Sequence, residues 1–324
     1  MKKLILITGG RGYLGGRIAS KLSENSNFEV SITTHSQKCL LPSWLKNGRI
    51  IHLDLTEEED FTKICQGTDT IIHLAALNEA ECFANPKLAY LVNTLGTEKL
   101  VRAAEKAKVK RFIYFSTAHV YRSPLTGIIT EETTPNPSNA YAKTHKEAED
   151  FVLKCHKNND TCGIVLRLSN AFGTPVDPNI NGWGLAVNSF CKQAIVNKEI
   201  TLQSSGLEVR DFITIQDIEN AVLHFINLPI LKCSDGLFNL GGENTMSIIN
   251  MANFVSQECN KLLNFKPEII TSCPTEQGPK KKLEYRIDKL KSTDFKLTGN
   301  IKEEIQNTLN FCDMHFGGRS VLNL

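Results

Sequence analysis

The chain has 324 residues, 41% hydrophobic and 22% charged, and its 37 basic and 35 acidic side chains leave a formal net charge of +2. That length suits one large α/β domain with a smaller appended lobe, and the balanced charge gives no reason to expect nucleic acid or a membrane as partner. The ten cysteines are scattered without a C-x-x-C pair, so no metal site is expected, and free thiols in a reducing cytoplasm are.

The first half alternates β-branched runs with helical patterns. Strands are expected at residues 4–8, 28–33, 49–53, 70–74, 111–116 and 163–168. Amphipathic helices are expected at 88–107, with apolar residues at Leu88, Leu91, Val92, Leu95 and Leu100, and at 141–157. This order implies a Rossmann-type, doubly wound parallel sheet in the α/β class. After about Asn170, loops rich in Pro, Asn and Gly separate shorter elements, with helices expected at 185–196, 215–226, 247–258 and 301–315. We therefore expect a dinucleotide-binding domain over 1–170. A smaller, discontinuous C-terminal substrate lobe follows over 171–324, with segments near 210–240 returning to the first domain. The apolar run from Leu4 to Ile7 is too short for a signal peptide or a membrane span.

The first strand ends in Thr8-Gly9-Gly10-Arg11-Gly12-Tyr13-Leu14-Gly15 and a helical pattern follows. Gly9 allows a tight turn, Gly12 lets the backbone approach a pyrophosphate, and Gly15 lets helix and strand pack closely. The helix N-terminus adds free N–H donors and the positive end of its dipole. A strand–turn–helix of this kind points to a nicotinamide dinucleotide.

The spacing is G-x-x-G-x-x-G. In this the chain resembles the extended branch of the short-chain dehydrogenase/reductase superfamily, the NAD(P)-dependent epimerases and dehydratases that modify nucleotide sugars. The resemblance continues through Asp54-Leu55 (adenine contact), Leu74-Ala75-Ala76 (beside the cofactor), Asn93 with Gly96-Thr97, Arg167 to Gly173 read as R-x-x-N-x-x-G, and Arg210-Asp211-Phe212-Ile213 with Asp217. It implies cofactor contacts from the glycine turn, from Thr34, His35, Ser36 and Lys38 after the second strand, and from Ser116 and Leu168. No carboxylate stands at 33–38 to bind a ribose 2′-hydroxyl, and Arg11 sits inside the turn, where NADP-dependent members also carry arginine. The expectation is NADP(H), with NAD(H) as the alternative.

The same resemblance implies a Ser/Thr, Tyr, Lys constellation. Phe115-Ser116-Thr117-Ala118-His119-Val120-Tyr121 places Thr117 in the hydroxyl role, with Ser116 as the other candidate donor. Tyr141 matches the proton-transferring tyrosine. The Y-x-x-x-K pattern departs from the family at its last position, which holds His145. Lys143 and Lys146 point elsewhere on a helix and cannot replace it. His145 could hydrogen-bond the ribose and, as imidazolium, lower the tyrosine pKa. His119, two residues beyond Thr117, is expected on the same strand face and toward the sugar; a packed, hydrogen-bonded histidine is the other reading.

The substrate implied is a nucleotide-activated sugar, with Asn170, Arg210 and Arg286 on its diphosphate and nucleotide. Dehydration in relatives uses an Asp-Glu pair where Ala118 and His119 stand here. The expected activity is an NADPH-dependent keto-sugar reductase or reductase/epimerase. The alternative within the enzyme class is a 4-epimerase, and the alternative outside it is a catalytically weak NADP-binding regulatory module. The survival of both Thr117 and Tyr141 favours an enzyme. The family resemblance also implies a homodimer through helices 88–107 and 141–157.

Overall fold

The computed structural model describes residues 2–36, 39–58, 60–158, 161–271 and 282–318; Lys38 lies outside them. Seven parallel strands make the central sheet: β1 (Lys3–Thr8), β2 (Phe28–Thr34), β3 (Gly48–His52), β4 (Thr70–His73), β5 (Arg111–Thr117), β6 (Cys162–Leu168) and β7 (Leu237–Leu240). Their order is β7-β6-β5-β4-β1-β2-β3, so the winding reverses between β1 and β4 and opens a crevice beyond their C-terminal ends. The register sets Thr8 opposite His73, His73 opposite Tyr114, and Thr117 opposite Leu168.

Side-chain alternation splits the core. Ile5, Ile7, Ile113 and Phe115 face one layer with α1 (Tyr13–Ser23), while Leu6, Phe112 and Tyr114 face the other with α2 (Thr97–Lys106) and α3 (Ala140–Lys157). A separate core joins α4 (Ala186–Val196), α6 (Ile248–Leu263) and α7 (Ile301–Phe316) in the C-terminal lobe, and Phe190 belongs to it. Between α4 and α6, α5 (Ile215–Asn227) packs back on α1, with Arg17 Nε 2.9 Å from Glu219. β7 is the edge strand of the central sheet beside β6. The strand Val209–Thr214 is not part of that sheet; it pairs with Asn170–Phe172 and Thr245–Ser247 in a three-stranded sheet.

The expected helix over 88–107 is continuous but not uniform. Pro86–Ala89 is α-helical, Tyr90–Gly96 is π-helical, and α2 follows. The wider turn brings buried Asn93 to the Leu77 backbone, whose N–H it accepts at 2.8 Å, and to Thr144 at 3.2 Å. It also breaks the 3.6-residue stripe, so Leu91 is exposed rather than buried.

One buried cluster ties three elements together behind the crevice. Arg167 on β6 donates to both carboxylate oxygens of Glu149 on α3, at 2.9 and 2.6 Å, and Ser116 on β5 donates to the same carboxylate at 2.6 Å. The guanidinium lies 4.6 Å from the centre of the Tyr121 ring. Removing one member leaves a buried charge without its partner, so Arg167→Met should destabilise the chain by about 3–5 kcal/mol. Combining it with Glu149→Leu should recover part of that loss. Urea unfolding of the three proteins checks both outcomes.

Candidate active site

The glycine turn is built for close approach. Gly9 has φ +67°, and a Cβ there would lie 2.8 Å from the Ala75 nitrogen. The Gly12 N–H closes the turn on the Gly9 carbonyl at 2.9 Å. A Cβ on Gly15 would come within 2.2 Å of that same carbonyl, so only glycine lets α1 start here. Gly12 offers α1 no side-chain cap, which leaves the first-turn N–H groups for an anion. Behind the turn a directed chain of hydrogen bonds fixes the strand ends. Thr97 donates to the Asn93 carbonyl at 2.6 Å, so it accepts from His73 Nε2 at 2.8 Å. His73 Nδ1 then accepts from Thr8 at 2.6 Å, and the Thr8 oxygen accepts the N–H groups of Leu74 and Ala75.

The structure narrows several expected contacts. The Tyr13 hydroxyl donates to the Gly173 carbonyl at 2.8 Å, so its side chain serves the C-terminal lobe and only its backbone faces the crevice. Burial raises that phenol far above its usual range. Leu14 packs partly into the core. Asp54 closes on its own turn, accepting from the Thr56 hydroxyl and N–H, and those bonds hold its carboxyl below the usual carboxylate range. Leu55 is buried against Gly96. The Asn93 amide is occupied by Leu77 and Thr144 rather than pointing out. Leu74 and Ala75 are half-buried and Ala76 is exposed. Exposed Arg11 reaches across from the turn to the Cys39 sulfur and to the Leu40 carbonyl at 3.5 Å, beyond the end of β2. Thr34 accepts the Ser36 N–H at 3.2 Å, and the His35 carbonyl meets His52 Nε2 at 3.1 Å.

At the ends of β5 and α3, Asn139 caps α3 and Tyr141 opens its first turn. Thr117 stands close enough to Tyr141 to lower the pKa of its phenol, so the two expected hydroxyls are neighbours. Burial pushes the phenol up to about 12, and Thr117 pulls the other way. Ser116 is removed from the donor role because its hydroxyl is spent on Glu149. β5 ends at Thr117, and Ala118–Val120 forms a 3-10 turn capped by the Thr117 oxygen, which accepts the His119 N–H at 3.2 Å. Strand alternation therefore does not govern His119. Its Nδ1 is buried without a partner, and its pKa is lowered by burial, with the nearby charges of Glu79, Arg210 and Glu208 acting as smaller influences.

His145 is buried, and its Nδ1 lies 2.7 Å from the Tyr114 hydroxyl while its Nε2 has no partner among the described residues. Its ring packs edge-to-face on Tyr141 at 4.5 Å between centres. Burial lowers its pKa from 6.5 to about 4, so the expected imidazolium does not form near neutral pH. Lys143 is exposed and Lys146 pairs with Asp150, so neither reaches the position.

On the other wall, the Asn170 side chain donates to the Asp211 carbonyl at 2.9 Å and knits two strands together. Asp211 is a buried anchor, accepting from Ser169, Gly242 and Asn244. The ion-pair partner of Arg210 is Glu208, at 2.9 and 3.3 Å. Arg286 repeats this arrangement with Glu284 at 2.6 Å, on a cleft of about 500 Å³ that Thr245, Tyr285 and Asp288 also line. Sequence reasoning missed Glu149, Glu79 and Tyr114. Glu149 lies eight residues after Tyr141, about two helical turns on, and that spacing was the available signal.

The residues present fit a dinucleotide: the glycine cradle has no room for side chains, and the buried Nε2 of His145 lacks a partner. Among the described residues no helix is long and apolar enough to cross a membrane, and no group of three or more His, Cys, Asp or Glu could hold a metal ion.

Residues 5–241 match the model of the NAD dependent epimerase/dehydratase family. The chain is 26% identical over 315 residues to a putative UDP-glucose 4-epimerase of Methanocaldococcus jannaschii, covering 95% of this chain and 98% of that protein. It is 30% identical to a GDP-6-deoxy-D-talose 4-dehydrogenase of Aggregatibacter actinomycetemcomitans, covering 69% and 70%. Among solved structures, the UDP-N-acetylglucosamine 4-epimerase from Methanobrevibacter ruminantium M1 superposes with a TM-score of 0.80 at 24% identity, covering 96% and 98%.

The buried histidines set an acid limit. His73 is lowered from 6.5 to about 3 and His145 to about 4, both mainly by burial. Folded, the rings stay neutral above those values; unfolded, they take up protons near 6.5. Their contribution to stability is therefore complete above pH 6.5 and lost as the pH falls through about 4. Melting temperature should decline across that window, and NMR titration should show the His145 ring uncharged at pH 6; a ring half-protonated there contradicts the assignment.

Proposed function

This chain belongs to the NAD dependent epimerase/dehydratase family, and from that premise we propose that it is a nucleotide-sugar 4-epimerase. The observation that carries the reading is that Thr117, at the end of β5, and Tyr141, in the first turn of α3, are close enough for Thr117 to lower the pKa of the phenol. The nicotinamide supplies the hydride acceptor and donor for the sugar C4 and, when oxidised, a positive charge. Thr117 hydrogen-bonds the C4 oxygen, and Tyr141 takes its proton in the oxidising half and returns it after the sugar has presented its other face. With the phenol raised to about 12 and His145 neutral, Tyr141 rests protonated. It is therefore ready as a donor to a C4 carbonyl and needs added positive charge to act as a base. Arg210 and Arg286 would offer forks to the diphosphate, with Asn170 as the third contact. Buried Ala118 stands where a dehydratase would need a carboxyl group, which argues against dehydration.

The relatives favour epimerisation over the net reduction expected first from the sequence. A keto-sugar reductase is the second reading, favoured by Arg11 and by the likeness to the 4-dehydrogenase. An epimerase interconverts UDP-glucose and UDP-galactose without consuming cofactor, whereas a reductase consumes NADPH in step with a 4-keto sugar. For either, Tyr141→Phe should lower kcat by ~10²–10⁴-fold while cofactor binding persists; unchanged turnover rejects the mechanism.

For the cofactor we propose NADP(H). Arg11 extends to the segment after β2, where Thr34, His35 and Ser36 offer no carboxylate to repel a 2′-phosphate. Arg11→Ala should weaken NADP(H) about tenfold or more, the worth of a charged hydrogen bond, and leave NAD(H) nearly unchanged in a fluorescence titration. The proposal extends to a homodimer, supported by exposed Phe83, Tyr90 and Leu91 beside α3; light scattering decides it. The free cysteines fit a reducing cytoplasm.

A further inference from the structure

Four aromatic rings run in a row through the protein beneath the proposed reaction centre. His73 lies 5.5 Å from Tyr114, Tyr114 is stacked 5.9 Å from His145, and His145 meets Tyr141 edge-to-face at 4.5 Å. All but Tyr141 are buried. The one hydrogen bond between neighbouring rings joins the Tyr114 hydroxyl to His145 Nδ1 at 2.7 Å.

Its direction follows from counting partners. If Nδ1–H donated to the phenol oxygen, the Tyr114 O–H and the Nε2 lone pair would both be buried without partners. If Tyr114 donates to Nδ1, only the Nε2–H is left over. A phenol is also the stronger donor of the two, and among the described residues the Tyr114 hydroxyl has no other hydrogen-bond partner. His73 is held by Thr8 and Thr97 and does not compete.

We propose that Tyr114 is a positioning residue that locks His145 in the Nε2–H tautomer, so that a neutral N–H, rather than a cation, serves the cofactor's ribose hydroxyl beside Tyr141. The inference rests on the proposed function for its purpose, but the tautomer itself is a property of the ligand-free chain. In this arrangement Tyr114, on β5, and His145, on α3, together do what one lysine does in the pattern the chain departs from.

The test reads the tautomer directly. Nitrogen-15 NMR of the ligand-free protein should show His145 with a protonated Nε2 and an unprotonated, hydrogen-bonded Nδ1. Tyr114→Phe keeps the ring and removes the donor, so both nitrogens should move toward averaged shifts. NADPH should then bind that variant about fivefold more weakly, the worth of one uncharged hydrogen bond. A protonated Nδ1 in the parent protein, or shifts unchanged in Tyr114→Phe, overturns the proposal. His145→Lys supplies donors that need no tautomer, so adding Tyr114→Phe to it should change NADPH binding less than twofold; equal losses in both backgrounds mean Tyr114 acts by packing alone and also overturn it. Should neither protein bind NADPH or NADH at all, the functional reading fails, while the NMR result still decides the tautomer.

Discussion

The buried Arg167–Glu149 pair is the constraint on which the site depends. It joins β6 to α3, and through Ser116 it joins both to β5. Each of these elements carries a neighbour of the proposed reaction centre: Thr117 follows Ser116, Leu168 follows Arg167, and Tyr141 and His145 lie about two turns and one turn before Glu149 on the same helix. A charge pair in an apolar interior stabilises little by itself, because desolvation offsets attraction. What it imposes is geometry. The guanidinium fork and the carboxylate meet in one orientation only, which fixes α3 against β5 and β6, the elements that carry Tyr141 and Thr117.

Around this anchor the protein keeps its site neutral. His73 and His145 are deprotonated by burial, Tyr141 is protonated by it, and His119 sits in the same low-dielectric wall. A lysine at position 145 would bring a permanent charge into that environment. The histidine brings a directional donor instead, at the cost of losing the electrostatic pull on the phenol. In the proposed reaction the positive charge would come from the oxidised cofactor.

Much of this was legible in the residues. Six β-branched runs and a glycine turn in strand–turn–helix context are local signals, and the structure repeats them with shifts of a residue or two at the ends. What was not legible depends on the third dimension. Tyr13 looks like part of the cofactor turn, yet its hydroxyl is claimed by Gly173, far along the chain. Thr117 is the first candidate by sequence and Ser116 the other, and the position of Glu149 is what takes Ser116 out. The charge of His145 could not be read from spacing, because it is decided by burial, and the π-helical turn at Tyr90–Gly96 hides inside an ordinary helical pattern because Asn93 is drawn to a distant loop. Arg210 beside Asp211 suggests an adjacent pair, but neighbouring strand residues face opposite ways and the arginine finds Glu208, two positions back, on its own face.

That i, i+2 pairing, repeated by Arg286 and Glu284, bears on the traffic of ligand through the cleft. Each arginine is already neutralised by its own glutamate, so the cleft projects little long-range field toward approaching anions. If the two arginines hold a diphosphate as proposed, its entry would be an exchange of anionic partners, with an association rate nearly indifferent to ionic strength. Each glutamate stays within reach to reclaim its arginine, which hastens departure. Such a wall suits a molecule that must let go of its ligand as readily as it takes it up.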